Sequence, residues 1–465
     1  MAEMTALLQD TISALVEARK YNTIRDVMVT MNPADIAAVL EEVSPAALPV
    51  VFRLLPKELA AETFVEMSSE NEELLIRAFS DSELKAVVEE LYADDAADIV
   101  EEMPANLVSR ILQQADPAFR KTINEILKYP EDSAGSIMTT EYVDLHPDMT
   151  VTAAMTHIRQ TGVDKETINT CYVTERKGRQ LVGAVSIRGL LLAREDATVG
   201  DVMKTNIVSV STLEDQETIA QLFSKYDLIA MPVVDGENRL VGIVTVDDAI
   251  DVMEEEMTED IEVMAAVTPT DKPYLQTSVW RIWASRIPWL LLMMVSATFT
   301  GLIISSFESA LSVLPVLTAF IPMLMDTGGN SGSQTSVTVI RGISLGEIEF
   351  RDILRVMWKE FRVSMLCGLC LAVCTSTKIL LVDFLLLGNG TGNWPENILV
   401  AAVVGVTLIV TVFAAKLIGC TLPLLAKKIG FDPAVMASPF ITTIVDAVSL
   451  LVYFAVASAF MGSYM

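Results

Sequence analysis

The chain has 465 residues, a mean hydropathy of +0.45 and a formal net charge of −28. The two figures are reconciled by splitting it: residues 1–270 hold 21 basic and 50 acidic residues, residues 271–465 hold 12 and 11. An acidic half that precedes a nearly neutral apolar one excludes a purely soluble enzyme. It also excludes nucleic acid as a partner, since phosphate binding needs surplus Lys and Arg; a strong negative field gathers cations instead.

Residues 32–128 repeat with a period near 12. Asn32-Pro33, Ser44-Pro45, Pro56, Asp81, Asp94-Asp95, Pro104 and Asp116-Pro117 each open a short apolar stretch. Asn, Ser or Asp followed by Pro is a helix start, because the side chain caps the first amides and Pro fits the first turn. The pattern predicts an all-α superhelical domain over residues 1–130. Nothing at its start resembles a signal peptide, so it is expected to stay cytoplasmic.

Residues 131–256 hold a duplication, with units near 136–198 and 199–256. Ile137–Leu145 parallels Val202–Val210, and Leu181-Val-Gly183 parallels Leu240-Val-Gly242. β-Branched strands alternate with helical segments, which predicts an α/β fold. The unit resembles a pair of CBS domains, a family that often binds adenosine nucleotides. Its Ser/Thr-x-x-Asp pattern stands in the second repeat as Thr245–Asp248; the first has Ser186-Ile-Arg-Gly189. ATP is the nucleotide expected there, through Thr245 and Asp248.

An acidic helix follows, with apolar residues at Ile250, Met253, Met257, Ile261 and Met264 forming one stripe. Its other faces are crowded with carboxylates that repel at helical spacing and that divalent cations would quiet. Residues 257–280 are read as a connecting helix and linker, running through Lys272-Pro273 into a membrane domain at 281–465.

Five apolar runs suggest five membrane spans: 287–306, 311–340, 363–387, 398–425 and 434–460. The loops after the second and fourth carry Arg341, Arg351, Arg355, Lys359, Arg362, Lys427 and Lys428, as a cytoplasmic N-terminus requires. Lys378 is expected to snorkel to the outer surface. The Cys367-x-x-Cys370 pair inside the third run reads as helix packing rather than redox chemistry.

The second run reads Asp326-Thr-Gly328-Gly329-Asn330-Ser-Gly332-Ser-Gln334. Three glycines in five residues are poor helix material, so a broken helix with free carbonyls facing a wet cavity is expected; close glycine packing is the alternative. The fifth run carries Asp446, about 20 Å in at 1.5 Å per residue, with Thr442 one turn away. A carboxylate at that depth is by default functional. Asp326, Asn330, Gly328 and Gly329 bring further oxygens from the opposite side. An all-oxygen set suits a hard cation, and Mg²⁺ uses few carboxylates while keeping several waters.

With these motifs assembled, and with Tyr129-Pro-Glu-Asp-Ser-Ala-Gly135 before the CBS pair, the chain resembles the MgtE family of magnesium channels and transporters over nearly its whole length. The resemblance implies a homodimer in the cell (inner) membrane, with a pore on its two-fold axis and hydrated Mg²⁺ at Asp446. The resemblance also implies that cytosolic Mg²⁺ closes the pore by bridging Asp94, Asp98, Asp227, Asp248, Asp251, Glu256, Glu259 and Asp260. No nucleophile–base pair or phosphate-cradling loop stands in the sequence, so no enzymatic activity is expected. Asp326 and Ser333 depart from the family's usual residues. Transport of Mn²⁺, Co²⁺ or Ni²⁺, an ion-coupled carrier and a membrane-anchored nucleotide sensor remain alternatives.

Overall fold

The computed structural model describes residues 11–12, 14–16, 18–270, 274–275, 277–307, 315–388 and 393–461. The expected junction at Lys272-Pro273 and the start of the second span at Leu311 lie outside them. Two compact units divide the chain, residues 1–253 and 254–465.

The first unit begins with short helices: α1 (Tyr21–Met28), α2 (Pro33–Leu40), α3 (Leu48–Phe52), α4 (Lys57–Val65), α5 (Ser69–Ala78), α6 (Asp81–Val88), α7 (Ala93–Glu102), α8 (Ala105–Gln114) and α9 (Pro117–Ile126). The starts follow the punctuation of the sequence. Asp116 accepts from the Ala118 amide, and Ser80 with Glu83 forms a reciprocal capping box on α6. Each helix is too short to stand alone. Together they bury one continuous core in which the Phe52, Phe64 and Phe79 rings lie 5.5–6.3 Å apart.

Two three-stranded sheets follow. In the first, β1 (Asp144–Leu145) runs parallel to β2 (Thr170–Thr174), which pairs antiparallel with β3 (Leu181–Ser186); α10 (Val151–Thr161), α11 (Ile187–Leu192) and α12 (Val199–Val202) accompany it. In the second, β4 (Val210–Ser211), β5 (Ala230–Val234) and β6 (Leu240–Thr245) repeat that order, with α13 (Gln216–Tyr226). The repeats exchange edges. Thr139, ahead of the first sheet, bridges Ile243 of the second, and Lys204 bridges Ala184 of the first. The glycines of the duplicated motif permit this: a Cβ on Gly183 would meet the Lys204 carbonyl at 3.0 Å, and one on Gly242 the Thr139 carbonyl at 2.8 Å.

The acidic helix α14 spans Val246–Met264, so it starts inside the second repeat rather than at 257. Its apolar stripe is real but outward: Ile250, Met253, Met257 and Ile261 are exposed.

The second unit is helical: α15 (Val279–Ser306), α16 (Ile321–Ser344), α17 (Ile353–Lys378, continued as a π-helix over Ile379–Leu386), α18 (Trp394–Lys428) and α19 (Ser438–Met461). Among the described residues, four segments are long and apolar enough to cross a membrane: Val279–Ser306, Phe350–Leu386, Trp394–Lys428 and Pro433–Phe460. Helix α16 is too polar to join them by composition.

One expectation is corrected here, and another gains a partner. The glycine-rich segment is not broken; α16 runs unbroken through Gly328, Gly329 and Gly332, so its carbonyls are engaged within the helix. The glycines serve close packing instead. A Cβ at Gly328 would meet Ser449 Oγ at 2.6 Å, and one at Gly332 would meet Ile441 Cγ2 at 2.7 Å. Lys378 does not snorkel alone: its Nζ lies 2.9 Å from Asp383 Oδ2. In a π-helix, hydrogen bonded i to i+5, the fifth residue comes round to meet it.

Candidate functional site

In the second unit α16 shows two faces. Gly328, Gly329, Ser331, Gly332, Thr335, Ser336 and Val339 are buried, whereas Asp326, Asn330, Gln334, Thr338 and Arg341 are exposed. The exposed set recurs every three or four residues, so it is one polar stripe running the length of the helix. Asn330 Nδ2 donates to Asp326 Oδ1 at 3.1 Å.

Helix α19 brings Asp446 to this stripe. A Cβ on Gly329 would lie 3.7 Å from Asp446 Oδ1 and 3.0 Å from Thr442 Cγ2, so the glycine lets α19 pack tightly here. Asp326 is the charged neighbour of Asp446. The segment before α19 is keyed to α16 by Ser336 Oγ, which donates to the Met436 carbonyl at 2.7 Å, and by Ser438 and Ser333, whose hydroxyls are 3.1 Å apart. Of the residues expected here, Asp446, Thr442, Gly329, Asn330 and Asp326 are brought together; Gly328 faces away, toward Ser449, Thr411 and Val445. The Thr442 hydroxyl donates to its own helix, at the Pro439 carbonyl 2.9 Å away.

In the first unit a second carboxylate group converges from three elements. Helix α7 supplies Asp94, Asp95 and Asp98, the start of α14 supplies Asp247 and Asp248, and the loop before β2 supplies Glu166. Asp94 is 6% exposed. Its Oδ1 and the Oε2 of Glu166 are buried and have no hydrogen-bond partner. Burial, then Asp248 and Asp95, push the Asp94 carboxyl well above the usual carboxylate range. Glu166 is pushed up to about 8 by burial and by Asp248, Asp95 and Asp247. Asp95 rises to about 6 through burial, then Asp248 and Asp247. Asp98, at the solvent edge, rises to about 7 through partial burial and Asp95. Charge of one sign is thus gathered where water cannot screen it.

Sequence reasoning named Asp94, Asp98 and Asp248 for this group and missed Asp95, Asp247 and Glu166. Glu166 sits in an ordinary loop, and no local pattern marks it. Other expected members are elsewhere. Asp227 caps α13 in a left-handed conformation (φ 51°) and is exposed. Asp251, Glu256 and Glu259 follow along α14. Asp260 accepts from Ser344 Oγ at 3.3 Å, and burial and Asp432 raise its pKa. Among the described residues no three carboxylates stand close enough to ligate one ion directly. The all-oxygen donor set and the orphaned Asp94 and Glu166 oxygens fit a hydrated hard cation, held through its waters.

Thr245 and Asp248 have a structural role as well. The Thr245 amide and hydroxyl both donate to Asp248 Oδ2, which caps the start of α14, and Ser186 does the same office in the first repeat by accepting from the Gly189 amide. The internal bonds of the motif engage Asp248 Oδ2 and leave its other oxygen outside them.

A duplicated α/β pair beside an acidic helical domain, together with a helical unit carrying membrane-length apolar helices and a half-buried carboxylate facing a polar stripe, marks a membrane cation transporter. Comparison with known proteins bears this out. Residues 321–456 match the family described as MgtE, divalent cation transporter; residues 31–132 match the MgtE intracellular N domain; residues 134–196 and 199–255 match the CBS domain. The magnesium transporter MgtE of Thermus thermophilus is 37% identical over 438 residues, 93% of this chain and 94% of that protein. The protein of the same name from Bacillus subtilis is 34% identical over 456 residues, 97% of each. Among solved structures, the soluble part of a magnesium transporter aligns with a TM-score of 0.50 at 28% identity, covering 55% of this chain and 99% of that one. The cytosolic domain of the Mg²⁺ channel MgtE in complex with ATP aligns with a TM-score of 0.47 at 38% identity, covering 49% and 93%. The chain belongs to the MgtE family. It is a membrane transporter, not an enzyme.

Proposed function

We propose that the chain takes up Mg²⁺ across the cell (inner) membrane as a homodimer, through a pore that cytosolic Mg²⁺ closes. The observation that carries the reading is the exposed polar stripe of α16, Asp326, Asn330, Gln334 and Thr338, beside Asp446. Such a stripe is not tolerated against lipid. A second copy across a two-fold axis turns it into the wall of a wet passage, and α16 then counts as a fifth span despite its polarity. One Asp446 from each copy gives the two carboxylates Mg²⁺ commonly uses, while its other positions keep water.

Regulation follows from the acidic group on α7 and α14. When cytosolic Mg²⁺ is high, a hydrated ion offsets the repulsion among Asp94, Asp95, Asp98, Asp248 and Glu166, and the compact arrangement is favoured. When it is low, the carboxylates repel and α14 is released. Mg²⁺ shifts the gate only by its differential affinity for the two states. Asp251, Glu256, Glu259 and Asp260 extend the same response along α14 toward the membrane unit, and Asp227 joins it only if a partner copy approaches. ATP is assigned a modulating place at the CBS pair, where Asp248 Oδ1 and the Thr245 hydroxyl oxygen can still accept from a ligand while their mutual hydrogen bonds stand.

The test is Mg²⁺ flux into liposomes holding the purified chain, with and without millimolar Mg²⁺ on the side of the soluble domains. Flux that falls as that Mg²⁺ rises, and that disappears in Asp446→Ala, is expected. Unchanged flux in Asp446→Ala would sink the pore; flux indifferent to Mg²⁺ on the soluble-domain side would sink the feedback.

A further inference from the structure

Helix α18 is apolar over most of its length, yet it buries Lys416. The ammonium has a built environment. Lys416 Nζ donates to Thr335 Oγ1 at 3.1 Å; the Thr335 hydroxyl reaches Glu360 Oε2, also at 3.1 Å; and Glu360 Oε2 lies 3.7 Å from Nζ. The Lys416 and Glu360 side chains are 8% and 17% exposed. The three residues come from three helices: Thr335 from α16, Glu360 from α17 and Lys416 from α18. A buried pair of charges is weak evidence for stability, because apolar residues of the same volume serve as well or better. Its presence calls for a task that apolar packing does not perform.

Helix α16 has such a task. Beside Asp446 its contact face is made of Gly328, Gly329, Ser331 and Gly332, which allow close approach, while the bulkier buried residues, Leu324, Val339 and Ile340, lie at the two ends of this stretch. Thr335 lies nine residues from Asp326, two and a half turns, and hence on the opposite side of the helix. A directional hydrogen bond at that point fixes rotation as van der Waals contact through glycine does not. One turn along, Gly332 and Gly419 set the depth of the α16–α18 contact.

We infer that Lys416, Glu360 and Thr335 form a positioning triad: it holds the rotation of α16 so that Asp326 and Asn330 face Asp446. The triad touches no permeating ion and acts only through α16. The inference rests on the pore reading above.

The test reads the rotation directly. A Cβ on Gly329 would stand 3.4 Å from Thr442 Cβ, near the separation of a disulfide. The full-length double variant Gly329→Cys/Thr442→Cys is oxidised in liposomes, and the linked peptide is quantified by mass spectrometry. Adding Thr335→Val removes one hydroxyl at constant shape. Cross-linking is expected to slow by about tenfold or more, as proximity effects of this kind allow. In the chain without the two cysteines, Thr335→Val is expected to raise the Mg²⁺ concentration that half-saturates flux, while Thr335→Ser, which keeps the hydroxyl, stays near the parent. The pair variant Lys416→Met/Glu360→Gln leaves no unpaired buried charge and is expected to match Thr335→Val. Parental cross-linking and half-saturation in either Thr335→Val or the pair variant would overturn the triad, as would equal slowing by the Ser and Val variants, which would point to packing alone. Failure of the pore reading is seen separately, as unchanged flux in Asp446→Ala.

Discussion

Gly419 of α18 faces the backbone carbonyl of Gly332 of α16 with no room between them for a Cβ. The two helices therefore touch backbone to backbone, on the side of α16 away from the polar stripe. In a bilayer, where apolar side chains gain little by leaving lipid, such contact is what holds helices together. Gly419→Ala forces the pair apart and is expected to cost about 1–3 kcal/mol, as overpacking does. Gly301→Ala, on α15, has open space around it and is expected to be neutral. Thermal unfolding of both variants in detergent, followed by size-exclusion chromatography, checks the contrast; equal melting temperatures would refute it.

Asp326 is the charged neighbour of Asp446 and is tied to Asn330. Its negative charge adds to the attraction for a divalent ion at Asp446. Asp326→Asn keeps the hydrogen-bonding shape and removes the charge. The expected result is flux that persists but half-saturates at several-fold higher Mg²⁺, as loss of one nearby charge at protein-like dielectric implies. Flux titrations in liposomes read this, and an unchanged half-saturation would place Asp326 outside the ion's field.

Much of this architecture was legible in the residues, for identifiable reasons. Pro and Asp punctuation marked the helices of residues 32–128, because capping and the proline ring act locally. The duplicated Leu-Val-Gly stretches marked the two repeats; the structure adds why glycine stands there, since a Cβ at Gly183 or Gly242 would meet the other repeat's backbone. Asp446 stood out because a carboxylate in an apolar run is costly. Three features were hidden. Helix α16 looked broken because glycine's helix penalty is measured in water; packed among helices, its backbone has no solvent to bond instead. Lys416 vanished into the high average hydropathy of its run. Glu166 is more than seventy residues from Asp94 in sequence, and only the fold brings them together.

The acidic group gives a pH dependence whose sign is fixed. Glu166 moves from 4.5 to about 8 and Asp95 from 3.8 to about 6 on folding. An acid whose folded pKa is raised binds protons more tightly in the folded state, so its contribution is intact below the unfolded value and is lost as pH rises through the folded one. Without divalent ions, the helix at Ala93–Glu102 is expected to lose protection between about pH 4 and pH 8. Hydrogen exchange of the full chain, compared with and without millimolar Mg²⁺ at each pH, measures it. The protection added by Mg²⁺ is expected to be larger at pH 8 than at pH 6; the reverse order would mean that protons and Mg²⁺ do not compete for the same oxygens.

Glu166 offers the sharper test of that competition, because its Oε2 is buried without a partner and it belongs to no part of the pore. Glu166→Gln removes one ionisable carboxyl from the group and supplies an amide that can donate to the Asp94 or Asp248 carboxylate. An orphaned acceptor is thereby replaced by a hydrogen-bonding group, a change generally worth about 1–3 kcal/mol when the site is buried. The folded arrangement is expected to need less help from Mg²⁺. In hydrogen exchange, Ala93–Glu102 should be better protected than in the parent when Mg²⁺ is absent, and the increment produced by Mg²⁺ should shrink. In flux measurements closure should begin at lower Mg²⁺ on the soluble-domain side, with the half-saturation of the pore itself unmoved. Closure that instead requires more Mg²⁺ would make Glu166 a supporting partner of the ion, whose loss weakens binding by more than the relief of repulsion returns.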